Sequence, residues 1–299
     1  RQFNVTAPVE EKSVTQLENN HQKLGIMGGS GIYQMEGIEI IKEHIIDTPF
    51  GSPSDAVIEA KLGDEVFFFL ARHARGHKLL PHEINFRANI YALKKCGVHY
   101  LLSVSAVGSL KEELSPTDFV LPDQFIDWTK GQRQRTFFGN GIIAHVSVAK
   151  PIDHKLQKLV AASCEFAGAN YHIGGSYICI EGPQFSSKAE SEIYRSFGAS
   201  VIGMTNLPEA YLAKEAGMAY ATIAMVTDYD CWKEEHCTVD EIMKVMATNG
   251  VAANKILNIL IPLIHEKPFT FQKENTFAIL TPDEKLTSTQ KEILAVLKS

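Results

Sequence analysis

From residue 24 onward, short apolar runs alternate with longer stretches of helical period, and this alternation restricts the possible folds more than any other feature of the chain. Strands covered on both faces by crossover helices are written as nearly continuous apolar runs, because neither face meets water. Such runs predict strands at 24–27, 65–71, 100–104, 177–180, 200–204 and 219–226. Helical spacing predicts helices at 82–95, 153–167, 188–197, 207–216 and 239–264, the last opened by Thr238 as an N-cap. Strands interleaved with helices imply an α/β fold with a mixed or mostly parallel sheet. No repeat, low-complexity tract or Pro/Gly-rich linker divides the chain, so a single domain is expected over 23–299. Residues 1–22 are polar and aperiodic and read as a flexible leader, while the tail beyond Pro268 ends in an amphipathic segment at 290–297.

With 299 residues, 45% of them hydrophobic, the chain can bury a large core. Its net charge of −6, with Lys and Arg dispersed, provides no basic stripe for a phosphate backbone, so no nucleic-acid partner is expected. Five cysteines (Cys96, Cys164, Cys179, Cys231, Cys237) form no CxxC pair and read as buried thiols of a reducing compartment. There is no basic-then-apolar start, and no uninterrupted apolar stretch near the roughly 18 residues of a membrane span. A cytoplasmic protein without a membrane partner is the expectation.

Chemistry gathers where the apolar runs end, the place where open α/β sheets bind ligands. After the first run, Gly28, Gly29 and Gly31 surround Ser30, an arrangement that lets backbone amides and a hydroxyl approach an anion. The spacing matches neither GxGxxG nor GxxxxGK[ST], so neither a dinucleotide nor a nucleoside triphosphate is indicated, and a bare turn accounts for it equally well. After the second run come Arg72, His73, Arg75 and His77. The arginine fork and an imidazole suit an anion. His73 and His77 four apart could chelate a metal, but no carboxylate joins them and Gly76 opposes a rigid helix; a solvated basic loop also remains open. Ser105, Ala106 and Gly108 follow the third run as a small-residue turn, again either an anion loop or an ordinary tight turn.

Three further segments outline a flat heterocycle. Phe185 and Ser186 follow Pro183 and offer an aromatic face beside a hydroxyl. Met204 and Thr205 end another run, and Thr205 could cap the helix begun near Pro208 or meet an anion there. Asp228 and Asp230 close the last run two residues apart; in extended backbone both carboxylates point the same way and accept from an exocyclic amine and a protonated ring nitrogen. A turn-forming aspartate pair is the plainer alternative.

Eight segments in order, GGSG (28–31), TPFGSPSD (48–55), ARHARGH (71–77), SAVGSL (105–110), DQFIDWT (123–129), EGPQFSS (181–187), MTNLPEA (204–210) and TDYDCW (227–232), resemble the purine nucleoside phosphorylase superfamily and, within it, the methylthioadenosine phosphorylases. The resemblance covers about residues 24–264. It implies one α/β domain with a central twisted mixed sheet flanked by helices, assembled as a homotrimer, with a hexamer as the larger option. It implies phosphorolysis of S-methyl-5′-thioadenosine, with inorganic phosphate as co-substrate and no metal or organic cofactor. Carried over, Ser30, Arg72, His73, Ser105, Ala106 and Thr205 would hold phosphate. Met204 would meet the ribose, Phe185 and Ser186 would flank the base, and Asp228 and Asp230 would bond its amine and N7, with Asp228 as the catalytic proton donor. Val239 would help form the methylthio pocket. Ser30 and Ser105 stand where many relatives carry threonine, Val107 where some carry cysteine, and Asn206 and Leu207 at positions that vary among subgroups; the C-terminal tail has no clear match.

Overall fold

The computed structural model describes residues 23–233 and 238–299, and for Ser30 the backbone alone. The expected leader at 1–22 and Cys237 lie outside the described residues. In chain order the elements are β1 (Lys23–Gly28), β2 (Ile38–His44), β3 (Val57–Leu62), β4 (Glu65–Ala71), α1 (Phe86–Lys95), β5 (Val98–Ser109), β6 (Phe119–Leu121) and β7 (Gln124–Trp128). Then follow α2 (His154–Phe166), β8 (Tyr171–Ile173), β9 (Ser176–Ile180), α3 (Lys188–Ser196), β10 (Val201–Gly203), α4 (Glu209–Glu215), β11 (Ala219–Asp228), α5 (Val239–Glu266) and α6 (Ser288–Lys298).

The described strands join one mixed sheet, ordered β2-β3-β4-β1-β5-β10-β9-β7, with β11 beside β5 and carrying β6 and then β8. The interior pairs β1/β4, β1/β5 and β5/β11 are parallel, while β2/β3, β3/β4, β5/β10 and β6/β11 are antiparallel. The single α/β domain with a central mixed sheet therefore stands as read from the sequence. β5 organises the site. It pairs with β1 as far as Ser103, with β11 from Tyr100 to Gly108, and with β10 at Gly108 and Ser109. Between Ser103 and Gly108 it is held by β11 alone, so Ser105 and Ala106 form extended backbone and not the turn that small residues indicated.

Local chemistry explains the other differences. Helix α1 starts at Phe86 and not at 82, because Asn85 caps it through the Ala88 N–H after a 3-10 turn over Pro81–Glu83. Pro208 forms the N-cap of α4, so Thr205 does not cap that helix. Thr238 caps α5 as expected, in a reciprocal pair with Glu241, and Asp153 caps α2. At 28 residues α5 is long and apolar enough by length and composition to cross a bilayer. It divides its apolar residues instead: Ala253, Ile256, Leu257, Leu260, Ile261 and Ile264 enter the core, while Met243, Met246 and Val251 are exposed toward its N-terminal half. Cys164 and Cys179 are buried, but Cys96 and Cys231 are only half-buried; all four are free thiols.

One close approach fixes the backbone beside the site. A Cβ on Gly203 would lie 2.0 Å from the Tyr177 hydroxyl, so only glycine lets β10 sit against β9 there.

Candidate active site

A cavity of about 1120 Å³ opens at the strand tips. It collects the ends of β1, β4, β5, β9, β10 and β11 and is walled on one side by α5. Arg72, His73, Ser105, Ala106, Phe185, Ser186, Met204, Thr205, Asp228 and Asp230 all line it, so ten of the sequence-chosen residues meet in one place. Gly28, Gly29 and Gly31 line it too; the Ser30 side chain lies outside the described residues. Val239 is not brought to the wall. It is the first residue of α5 and 75% exposed, and the helix instead presents Ile242, Met246, Ala247, Gly250 and Val251 one turn and more farther along. Arg75 also faces elsewhere, paired with Glu43 and Asp55.

At one end of the cavity the donors suit an oxyanion. Among the described residues, Ser105 Oγ and Thr205 Oγ1 are buried and have no hydrogen-bond partner. Buried hydroxyls are rarely left unpaired, and two beside an arginine in a cavity leave donors free for a ligand. Arg72 is 2% exposed, and its fork is turned inward: Nε donates to Glu209 Oε2 (2.7 Å) and Nη2 to Glu209 Oε1 (2.9 Å). Nη2 also donates to Ser103 Oγ (2.7 Å). Among the described residues Nη1 makes one bond, to the Val104 carbonyl (3.3 Å), which leaves its second N–H uncommitted. Burial works against the charged guanidinium, but the Glu209 carboxylate more than offsets it and holds the group above its ordinary range. Arg72 thus reaches the cavity with one N–H, not with the full fork that its type suggested.

His73 is fixed by its Nδ1, which donates to the Leu79 carbonyl (2.8 Å), and by stacking on His77 at 4.3 Å and 20°. Burial pushes its imidazole down to about 4, with Arg72 and His77 acting in the same direction against the Leu79 bond.

At the other end sit the carboxylates. Asp228 ends β11, where Oδ1 accepts from Thr227 Oγ1 (2.5 Å) and Oδ2 from the Asp230 N–H (2.9 Å). Asp230 is not extended, as the spacing argument assumed; it turns with φ +53, and both carboxylates nevertheless reach the cavity wall. Its Oδ2 accepts from Ser191 Oγ (2.6 Å). Burial lifts the Asp230 carboxyl above its usual range, Ser191 opposes this, and the neighbouring Asp228 adds to it. Phe185 stands at the rim, 84% exposed.

Sequence reasoning missed the residues that hold these groups in place. Glu209 is fully buried and also accepts from Tyr220 Oη (2.9 Å). Asn206 donates to Ser103 Oγ (3.0 Å) and accepts from Thr222 Oγ1 (2.8 Å), extending the network. Arg133 pairs with Glu181 and donates to the carbonyls of Met204 (2.7 Å) and Leu207 (2.6 Å), tying the EGPQF and MTNLP segments together. A polar KGQRQR stretch gave no sign of a buried arginine, and nothing in MTNLPEA marked its glutamate as a buried counter-ion.

Residues 23–262 match the family model described as the phosphorylase superfamily. The chain belongs to that superfamily. Among its relatives, the S-methyl-5′-thioadenosine phosphorylase of Geobacter sulfurreducens is 47% identical over 279 residues, covering 92% of this chain and 98% of the relative. The corresponding enzyme of Koribacter versatilis is 53% identical over 237 residues, covering 79% and 81%. Similar solved structures include a methylthioadenosine phosphorylase sourced from an antarctic soil metagenomic library, with a TM-score of 0.88, 44% identity and coverage of 92% and 98%. A variant of the adenosine/methylthioadenosine phosphorylase of Schistosoma mansoni, in complex with methylthioadenosine, gives a TM-score of 0.79 at 32% identity, covering 93% and 97%. A phosphorylase of this superfamily needs an anion and a glycosidic bond side by side, and the two-ended cavity offers a place for each.

Proposed function

We propose that the chain cleaves S-methyl-5′-thioadenosine with inorganic phosphate, giving adenine and 5-methylthioribose 1-phosphate. The observation that carries this reading is the sharing of one cavity by donors unpartnered among the described residues, Ser105 Oγ, Thr205 Oγ1 and an Arg72 N–H, and by the acceptor pair Asp228 and Asp230. The relatives at 47% and 53% identity carry the same activity in their names.

In this reading phosphate occupies the donor end, where Ser105, the Ala106 backbone, Thr205, Arg72 and His73 surround it, with Ser30 beside them. Met204 lies against the ribose, and Phe185 and Ser186 flank the base. As the glycosidic bond lengthens, positive charge builds on the sugar and is stabilised by the phosphate dianion on the opposite face; the protein's part is placement and electrostatics. Asp228 shares a proton with N7 of the departing purine, and Asp230 accepts from the exocyclic amine. The apolar face of α5 at Ile242, Met246 and Val251 takes the methylthio group in place of Val239. The reaction needs no metal or organic cofactor, and the protein works in the cytoplasm as a homotrimer, or as a hexamer built from trimers.

Incubation with methylthioadenosine in the presence and absence of phosphate is the test. Release of adenine and a sugar 1-phosphate only with phosphate is expected. Equal release in phosphate-free buffer would make the chain a hydrolase, and preference for a 6-oxo nucleoside would overturn the role given to the aspartate pair.

A further inference from the structure

Every strong donor of His73 is already spent. Its Nδ1 faces a carbonyl, which can only accept, so the ring proton sits on Nδ1 and Nε2 carries a lone pair. Among the described residues Nε2 has no hydrogen-bond partner, and the ring lines the cavity beside Ser105 and Thr205. The Leu79 carbonyl and the stacked His77 ring prevent the imidazole from turning Nδ1 toward a ligand. A bare anionic oxygen placed against Nε2 would meet lone pair with lone pair.

The geometry points to His73 as an acceptor that discriminates among anions: Nε2 receives a hydrogen bond from the hydroxyl of monohydrogen phosphate, and an anion without a proton binds only by drawing one from solvent. This deepens, and rests on, the reading of the cavity as a phosphate-dependent nucleoside site. Phosphate and sulfate share shape and charge as dianions, but only phosphate still carries a hydroxyl near neutral pH. The neutral state of the ring, held down by burial, fits the acceptor role. Among the described residues, the charged and titratable groups acting on the ring are Arg72 and His77, so His77 is tested as a rival source of a proton.

The test is the ratio of the sulfate to the phosphate dissociation constant between pH 6 and 8, each measured by competition with phosphate counted as its dianion. Proton linkage sets the expected slope: the ratio climbs with pH, approaching about tenfold per unit. Calorimetry in buffers of different ionisation heat should find close to one proton taken up per sulfate, and none per phosphate dianion at pH 8. The slope should vanish in His73→Asn, with His73→Gln as a second variant if the first folds poorly, and persist in His77→Asn. A flat ratio in the wild type overturns the inference, as does a slope lost in His77→Asn but kept in His73→Asn. Phosphate-dependent adenine release is followed in parallel. If release requires phosphate while the ratio stays flat, the proton-sharing role fails and the phosphorolytic function stands; if release ignores phosphate, the function itself fails.

Discussion

Asp228 has an acceptor bond on each carboxylate oxygen and still has lone pairs to give. Replacing it with asparagine keeps the shape and removes the shared proton, so Asp228→Asn should lower kcat on methylthioadenosine by about 10²–10⁴-fold. The KM for phosphate should stay within about threefold if phosphate occupies the donor end as proposed; parallel losses in both would argue against the assignment. Glu209 acts through another residue. Its removal strands the Arg72 guanidinium, 2% exposed, without its counter-charge. Glu209→Ala should cost about 3–5 kcal/mol of stability, read from denaturant midpoints, and adding Arg72→Leu should recover part of the loss because a hydrophobic replacement of the pair leaves no buried charge behind. Additive losses in the double variant would mean that the pair is not coupled.

At the scale of elements, the loop entering at Thr136 and Phe137 is held to the end of α4 by one carboxylate. Glu215 accepts from Thr136 Oγ1 (2.7 Å) and the Phe137 N–H (2.8 Å), and burial pushes it up to about 7 against those bonds. A carboxyl raised in the folded state binds its proton more tightly there than in the unfolded chain. Its stabilising contribution is complete below the unfolded value near 4.5 and is lost as pH rises through about 7. The Tm of Glu215→Gln relative to wild type should therefore rise from pH 5 to pH 8; a difference independent of pH would contradict the shift. The core elements were legible in the sequence because β1, β4, β9 and β11 are buried apolar runs and α5 has a cap that declares itself. β2 was not, since Ile38–His44 interleaves charge with isoleucine on a largely exposed edge. The continuation of β5 through Ser105, Ala106 and Gly108 was hidden for a different reason: pairing with β11 keeps it extended where small residues alone favour a turn. The cavity could be anticipated from its motifs, whereas Glu209, Asn206 and Arg133 could not, because a buried polar residue is recognisable only once its partner is known.

At the scale of the whole molecule, Ile143, Phe277 and Leu280 are exposed at 53%, 93% and 63% around the short bridge of Ala144 with Ile279. Apolar side chains exposed this far are where a contact with another chain would fall in the proposed trimer. Light scattering after size exclusion should give three chain masses, or six, and Phe277→Asp should shift the population toward smaller species; a monomer at micromolar concentration would remove the trimer from the proposal. Ligands should add to stability by mass action, by about 2.7 kcal/mol at a concentration 100 times the dissociation constant.

β5 has one further implication. Ser105 and Gly108, the latter packed against Asp230, are three steps apart on a single extended backbone, and extended chain advances about 3.3 Å per step. The donor and acceptor ends of the cavity are thus spaced by a calliper about 10 Å long whose jaws cannot slide, because pairing with β11 runs along the rod on which both are mounted. Variation among substrates is then confined to what protrudes past the jaws toward α5, and a one-residue insertion within the rod would abolish turnover even with every named side chain still present.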